Sequence, residues 1–366
     1  MPWLWAWTLL VFCSELAAQP LIVGRSLPLS GPLQSIGEFK RDGADAYFHK
    51  INSAGGVGGR LIDVVTIDDG YAPEQTIANL RRMAREHKPV AFIGLLRMPT
   101  QGDEIPLLDE LRIPAVGISS ASHLLRARLH RYGFPVRASV MDEGRKLASH
   151  IRVVGIQKVA VIYQDVPLGH TTREAISAGL KEEGLNAHHN ELDAAGTQVA
   201  EVASQVLKDQ PQAIVLAVLT PAAAALVTEL RRQSFNGTLY TFSSTDAVVL
   251  NKLVGDKALG IAISQIVPVP EGARVKVVAE YVQAVKSLGR GAPTILGLEG
   301  FLEAKVLVEG LKRSGNWPTP DALARALETM SDVDLGGYFV NYTPQVHTGG
   351  LFVEINMIGP HGRLMR

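Results

Sequence analysis

The sequence predicts an α/β protein of two doubly wound lobes joined by a hinge that the chain crosses several times. From Leu21 onward, short β-rich runs alternate with helical runs of about 10–15 residues, a pattern typical of parallel sheets covered by helices on both faces. The alternation forms two series, the second of which starts after Arg137. Three helical runs follow Ile263, where the second series ends, and we expect them to return to the first lobe.

The first series has clear helix start and stop signals. Pro73 favours a helix start, where its missing N–H costs no hydrogen bond, and the glycines of 55–59 favour the end of the preceding helix. The predicted strands are Leu21–Leu27, Leu61–Ile67, Val90–Gly94 and Pro114–Gly117. The predicted helices are Gly37–Ala54, Pro73–Glu86 and Gly102–Leu111.

The second series repeats this alternation, and the late helices and a β-rich tail follow it. Its predicted strands are Lys158–Tyr163, Leu185–His189, Ala213–Leu216, Leu239–Phe242 and Leu259–Ile263. Its predicted helices are Val140–Val154, Thr171–Gly184, Thr197–Asp209 and Ala222–Ser234. The late helices are Ala273–Leu288, Leu296–Ser314 and Pro320–Met330, and the tail strands are Tyr338–Asn341 and Gly350–Asn356. We therefore predict a first lobe of 19–136 plus 264–338 and a second lobe of 137–263 plus 339–366.

The first 18 residues are typical of a secretory signal. An apolar run from Trp3 to Phe12 is followed by small residues, which predicts cleavage after Ala18 and export to the periplasm. No Lys or Arg precedes the run, and the alternative is a buried first strand or helix. Cys13, the only cysteine, follows Phe12 rather than a small residue, which disfavours a lipid anchor. The Trp3–Phe12 run is too short to span a membrane, and no other stretch approaches 18 apolar residues, so we expect the mature protein to be soluble.

Composition and motifs exclude several classes of function. Lys and Arg number 36, as do Asp and Glu, so no basic excess indicates a nucleic-acid partner. The sequence contains no G-x-S-x-G, H-E-x-x-H or P-loop motif, which predicts no catalytic residue and no enzyme. His188 and His189 face opposite ways on a strand, so we do not expect them to bind one metal ion together. We predict no metal site and no cofactor. For Asp68 and Asp69 we expect helix capping ahead of Pro73.

Four segments carry a resemblance to a known family. They are LIVGRSLPLSGPLQSIGEFKRDGADAYFHKINSAGGVGGRLIDVVTIDDGYAPEQT, IPAVGISSASHLLR, FPVRASVMDEG and VAVIYQDVPLG, in this order. Together they resemble the branched-chain amino-acid (leucine/isoleucine/valine) type of ABC-transporter substrate-binding proteins, from Leu21 to Asn356. The resemblance implies the type I periplasmic binding protein fold, with two Rossmann-like lobes, three crossovers and a ligand in the cleft between the lobes.

In the first lobe, two loops that follow predicted strands are expected to hold the ligand. In open α/β sheets, ligands bind beyond the carboxyl ends of the strands. Arg97 and Thr100 follow one strand, and Ser119 and Ser120 follow the next. Arg97 falls where the family has a small hydroxyl residue, and Ser120 aligns with a family threonine that contacts ligand. The alternatives are an arginine that points to solvent or bridges the lobes, and serines that cap a helix.

In the second lobe, three loops are expected to contribute. Gln164 and Asp165 end a strand at a position that resembles the family's cleft lining, although Asp165 also suits a turn. Leu219 stands where the family often has tyrosine. A leucine there lacks the hydroxyl and the ring face, which favours an apolar ligand body or a different ligand altogether. Candidates in the third loop are Ser244, Thr245 and Asp246. Asp246 either pairs with a ligand ammonium, as the resemblance implies, or caps the following helix.

These residues predict a monomeric solute-binding protein of an ABC importer, with the membrane permease as its partner. Arg97 and Ser120 make a small carboxylic acid as plausible a ligand as an amino acid. The alternative is a periplasmic sensor that presents its bound form to a receptor or histidine kinase.

Overall fold

A five-stranded parallel sheet forms the centre of the first lobe. The structure is a computed structural model that describes residues 19–31, 33–96, 104–118, 130–271 and 274–366. The strand order is β2-β1-β3-β4-β5. The strands are Leu21–Leu27 (β1), Ile62–Asp68 (β2), Ala91–Ile93 (β3), Ala115–Val116 (β4) and Gly133–Phe134 (β5). The helices between them are Gln34–Ser53 (α1), Pro73–Glu86 (α2) and Glu104–Leu111 (α3).

A seven-stranded sheet forms the centre of the second lobe. Its parallel strands are Val159–Gln164 (β6), Ala187–Leu192 (β7), Ala213–Ala217 (β8), Thr238–Thr241 (β9) and Ala262–Gln265 (β10). Its helices are Val140–Val153 (α4), Pro167–Glu182 (α5), Val199–Lys208 (α6), Thr220–Arg232 (α7) and Ala247–Val254 (α8). All of β6 and β8 is buried, as expected for inner strands covered on both faces.

The last part of the chain divides between the two lobes. Three helices, Lys276–Leu288 (α9), Ile295–Arg313 (α10) and Pro320–Leu327 (α11), bury their apolar faces in the core of the first lobe. A three-stranded antiparallel sheet of Val333–Asp334 (β11), Phe339–Tyr342 (β12) and His347–Gly350 (β13) packs on that core as well. Glu354–Ile358 (β14) and Leu364–Met365 (β15) then complete the second sheet, in the order β15-β14-β10-β9-β8-β6-β7.

Glycines allow α1 and α10 to pack with their backbones in contact. A Cβ atom on Gly43 would lie 1.8 Å from the carbonyl oxygen of Gly297, and one on Gly300 would lie 2.1 Å from that of Lys40. Both distances are far inside van der Waals contact, so no larger residue fits. This close packing fixes the late helix α10 to the first helix of the chain.

Three connections join the two lobes, at residues 135–139, between β10 and α9, and at residues 351–353; residues 272 and 273 of the second connection lie outside the described residues. This arrangement confirms the predicted fold class of two α/β lobes with a multi-crossover hinge. The domain boundaries stay a prediction. Val340 and Tyr342, which lie beyond the predicted boundary at residue 338, are buried in the first core.

The Tyr338 hydroxyl lies against the first two connections, and the end of β13, just before the third, packs beside it. This hydroxyl donates a hydrogen bond to the carbonyl oxygen of Val136 at 3.0 Å and lies 3.5 Å from the carbonyl oxygen of Ile266. The backbone N–H of Gly350 donates to the same Val136 oxygen at 2.8 Å. A Cβ atom on Gly350 would lie 2.4 Å from the Tyr338 hydroxyl, so the approach requires glycine.

The structure corrects some details of the sequence prediction. Asp68 and Asp69 do not cap α2, whose N-cap residue Ala72 makes no side-chain cap. Asp69 instead accepts hydrogen bonds from the hydroxyls of Ser26 and Thr76, because its strand end faces both groups. Helix α5 begins at Pro167, four residues before the predicted start, because proline tolerates the first turn of a helix. Across the described parts of the chain, the helices are too short or too polar to span a membrane.

Candidate ligand-binding site

The candidate site lies at the carboxyl ends of the parallel strands, where the predicted loops begin. In the first lobe, Gly94 and Gly117 follow β3 and β4 with φ of 69° and 81°, a conformation that favours glycine. Both glycines stand just before the predicted loops in the sequence. Four predicted ligand contacts, Arg97, Thr100, Ser119 and Ser120, lie outside the described residues, so their contact with ligand stays a prediction.

A buried charged cluster lies directly beneath these two glycines. The Glu303 side chain occupies the space where a Cβ atom on Gly117 would stand, with its Cδ 2.3 Å from that position. Lys40 donates to Glu303 at 2.7 Å and to Glu299 at 3.2 Å. Burial raises the pKa of the Glu303 carboxyl to about 7, against the opposing effect of Lys40. Burial disfavours the charge on Lys40, but the two carboxylates outweigh it and raise the pKa of that ammonium.

In the second lobe, Gln164 links three loops from within. Its side chain is 5% exposed, and its amide oxygen accepts a hydrogen bond from the backbone N–H of Leu219 at 3.1 Å. Its amide nitrogen donates to the carbonyl oxygen of Ala194 at 2.7 Å. Gln164 therefore holds the loops after β6, β7 and β8 together, which is a role that sequence reasoning did not separate from ligand contact.

Asp165 and Leu219 are the exposed candidate residues of the loops after β6 and β8. The Asp165 carboxylate lies 2.8 Å from Nε2 of His170, one turn into α5. Leu219 occupies the N-cap position of α7, and its side chain is 41% exposed, which is high for leucine. An exposed apolar side chain at a strand end suits contact with an apolar part of a ligand.

The loop after β9 presents two exposed polar residues and one buried residue. Asp246 is exposed and caps α8 by accepting from the Val249 N–H at 2.9 Å, so the predicted capping contact is present. Ser244 is exposed. Thr245 is only 2% exposed, and its hydroxyl lies 2.6 Å from that of Thr241. Contact of these three residues with a ligand stays a prediction.

Sequence reasoning missed a buried carboxylate that holds the start of this loop. Glu143, in the first turn of α4, accepts hydrogen bonds from the backbone N–H of Ser243 at 2.9 Å and from the hydroxyl of Ser264 at 2.6 Å. A glutamate in the first turn of a helix is usually a surface group that stabilises the helix dipole, so the sequence gives no signal of burial. The described residues include no group of three or more His, Cys, Asp or Glu side chains that could hold a metal ion.

The fold and this site define the class of the protein as a two-lobed solute-binding protein. A family model described as periplasmic binding protein matches residues 20–361, which is nearly the whole chain. The chain therefore belongs to the periplasmic binding protein family, whose members are solute-binding proteins of the periplasm and not enzymes.

Individual relatives agree with this assignment. The chain is 27% identical over 246 residues to an amino acid binding protein of Pseudomonas aeruginosa, and the match covers 65% of this chain and 63% of that protein. It is 20% identical to the Leu/Ile/Val-binding protein of Escherichia coli K12, over 70% of each chain. A substrate-binding periplasmic protein from Ralstonia solanacearum has a similar crystal structure, with 29% identity and a TM-score of 0.81 over 94% of this chain and 99% of that one.

Proposed function

We propose that this protein is the solute-binding component of an ABC importer and closes its lobes around an amino acid or a small carboxylic acid. The observation that carries the proposal is the close approach of the interlobe connections around Tyr338, whose hydroxyl lies against the first two, while Gly350, just before the third, donates to the Val136 oxygen. Short connections that lie side by side act as a hinge, and ligand selects the closed state of such a molecule. The ligands after which the relatives are named support an amino acid as the ligand class.

Two features of the site support the ligand class from the chemistry of the chain itself. Arg97 and Ser120 supply a guanidinium and a hydroxyl, which together match a carboxylate. The exposed Leu219 side chain supplies an apolar surface at the end of β8. An amphipathic acid with one carboxylate and one apolar body satisfies both features, whether or not it also carries an ammonium group.

Isothermal titration of the purified protein against amino acids and organic acids tests this proposal. We expect saturable binding of at least one compound with a carboxylate, and a large loss of affinity in Arg97→Gln. The matched control is Arg145→Gln, because Arg145 is an exposed arginine of α4 that pairs with Glu182. Tight binding of sugars or cations only would contradict the proposal. Gene neighbours separate the importer from the sensor, because a permease gene accompanies the first and a kinase gene the second.

We also propose cleavage after Ala18, a monomer in solution and the predicted lobe boundaries after residues 136 and 263. The packing of Val340 and Tyr342 on the first core favours moving residues 339–350 to the first lobe. N-terminal sequencing of the exported protein tests the cleavage site. Light scattering during gel filtration tests the monomer.

A further inference from the structure

A row of charged and polar groups runs through the first interlobe connection. At its centre is Arg137, in the connection 135–139. On the side of the second lobe, its guanidinium donates to the Glu143 carboxylate at 3.2 Å and to the Ser243 hydroxyl at 3.2 Å. On the side of the first lobe, it lies 3.9 Å from the Glu299 carboxylate, which Lys40 also contacts at 3.2 Å.

The second-lobe end of this row fixes the first residue of a candidate ligand loop. The Glu143 side chain is 2% exposed and uses both of its carboxylate oxygens. One oxygen accepts from the Ser243 N–H and the Ser264 hydroxyl, and the other accepts from Arg137. Both the backbone N–H and the hydroxyl of Ser243 are thus held by the Arg137–Glu143 pair, immediately before Ser244.

The first-lobe end of the row is anchored in a rigid element. Glu299 lies on α10, which packs against α1 through Gly43 and Gly300 with no space for a side chain between the backbones. A rotation at the connection 135–139 therefore moves Arg137 relative to Glu299, whereas its contacts to Glu143 and Ser243 belong to the second lobe. Removing one partner of such an ion pair leaves the buried Glu143 or Glu299 carboxylate without that partner, which is destabilising.

We infer that Arg137 and Glu143 are positioning residues that couple the hinge to the loop 243–246. The pair holds Ser243 in place in one hinge arrangement, and a ligand that contacts the loop biases the hinge in return, because coupling between two sites is reciprocal. The part of this inference that involves a ligand rests on the proposed function. The coupling between the hinge and the loop does not require a ligand.

The test measures the distance between the lobes and the hydrogen exchange of the loop 243–246 in the absence of any ligand. Spin labels are attached to Glu74→Cys on α2 and Lys208→Cys on α6 in the full chain with Cys13→Ser, since both positions are exposed. Pulsed electron paramagnetic resonance then gives the interlobe distance distribution, and hydrogen exchange reports the amides of 243–246. We expect Arg137→Gln and Glu143→Gln to shift or broaden the distribution and to speed exchange in this loop by about 10-fold.

Three further variants separate coupling from simple loss of structure. Arg145→Gln, on the same helix as Glu143 but on its exposed face, is expected to leave both readouts unchanged. Arg137→Lys keeps the charge and is expected to restore part of the wild-type distance distribution. If Glu143→Gln fails to fold, Ser243→Ala replaces it, because it removes only the hydroxyl contact to Arg137.

An interlobe distribution that stays unchanged in Arg137→Gln and Ser243→Ala would overturn the inference, even where exchange in the loop rises. Failure of the proposed function looks different. In that case the variants still change the ligand-free distances, while no amino acid or organic acid of the titration panel binds to the wild-type protein.

Discussion

The amide oxygen of Gln164 accepts a hydrogen bond from the backbone N–H of Leu219 at 3.1 Å, across two neighbouring strands of the second sheet. This contact joins a buried polar residue to the most exposed apolar candidate of the site. Gln164 sets where the backbone of Leu219 lies, and the Leu219 side chain is left free to meet a ligand. The candidate site in the second lobe thus has a buried polar group that supports one of its predicted contact residues.

Replacing Gln164 by alanine tests this supporting role. We expect Gln164→Ala to destabilise the protein by about 1–3 kcal/mol, because the N–H of Leu219 and the carbonyl of Ala194 lose their partners. Chemical denaturation measures the change. Gln205→Ala, an exposed glutamine on α6, serves as the control and should be close to neutral. Unchanged stability together with lost ligand binding would instead make Gln164 a contact residue.

Removing the hydroxyl of Tyr338 tests its role as the junction between the first two connections. We expect Tyr338→Phe to lower the free energy of unfolding by about 1 kcal/mol, because the Val136 carbonyl loses one of its two donors. The interlobe distances should broaden as well. Tyr163→Phe removes a hydroxyl that contacts Glu191 near the surface and should leave the interlobe distances unchanged. A Tyr338→Phe variant with wild-type stability and distances would rule out this hydroxyl as the junction.

Adding a methyl group at Gly300 tests the backbone contact between α1 and α10. A Cβ atom there would lie 2.1 Å from the Lys40 carbonyl oxygen, so the helices must separate. We expect Gly300→Ala to destabilise the protein by about 1–3 kcal/mol, as overpacking does, although alanine favours a helix over glycine. Thermal denaturation measures it, with Ser35→Ala on the exposed face of α1 as control. A stabilised variant would show that the helices can separate freely.

The buried Glu303 carboxyl predicts a pH dependence of stability. Burial raises its pKa in the folded state to about 7, from an ordinary value of 4.5. Because the folded state holds the proton more tightly, stability falls as pH rises from about 4.5 to 7 and is level above that window, by about 3 kcal/mol for this group. Glu303→Gln should remove this part of the profile, and Glu280→Gln, which pairs with Lys50 and Lys305, should keep it. Parallel profiles of wild type and Glu303→Gln between pH 5 and 8 would contradict the assignment.

The alternation of strands and helices was sufficient to predict the fold class, because each element of a doubly wound lobe carries its own local pattern. Strand β1 was predicted to the residue, whereas the two-residue strand Gly133–Phe134 was missed because it is too short to show a pattern. The supporting groups of the site could not be predicted for a different reason. Lys40 and Glu303 are 263 positions apart in the sequence, and only tertiary packing reveals that both are buried.

Small-angle X-ray scattering tests the central claim most directly. The radius of gyration of the purified protein is measured with and without a saturating concentration of the amino acid or organic acid that gives the strongest heat of binding. A protein that closes two lobes around its ligand becomes more compact, so the account predicts a smaller radius of gyration in the bound state. Saturable binding with no change in the radius of gyration would contradict it.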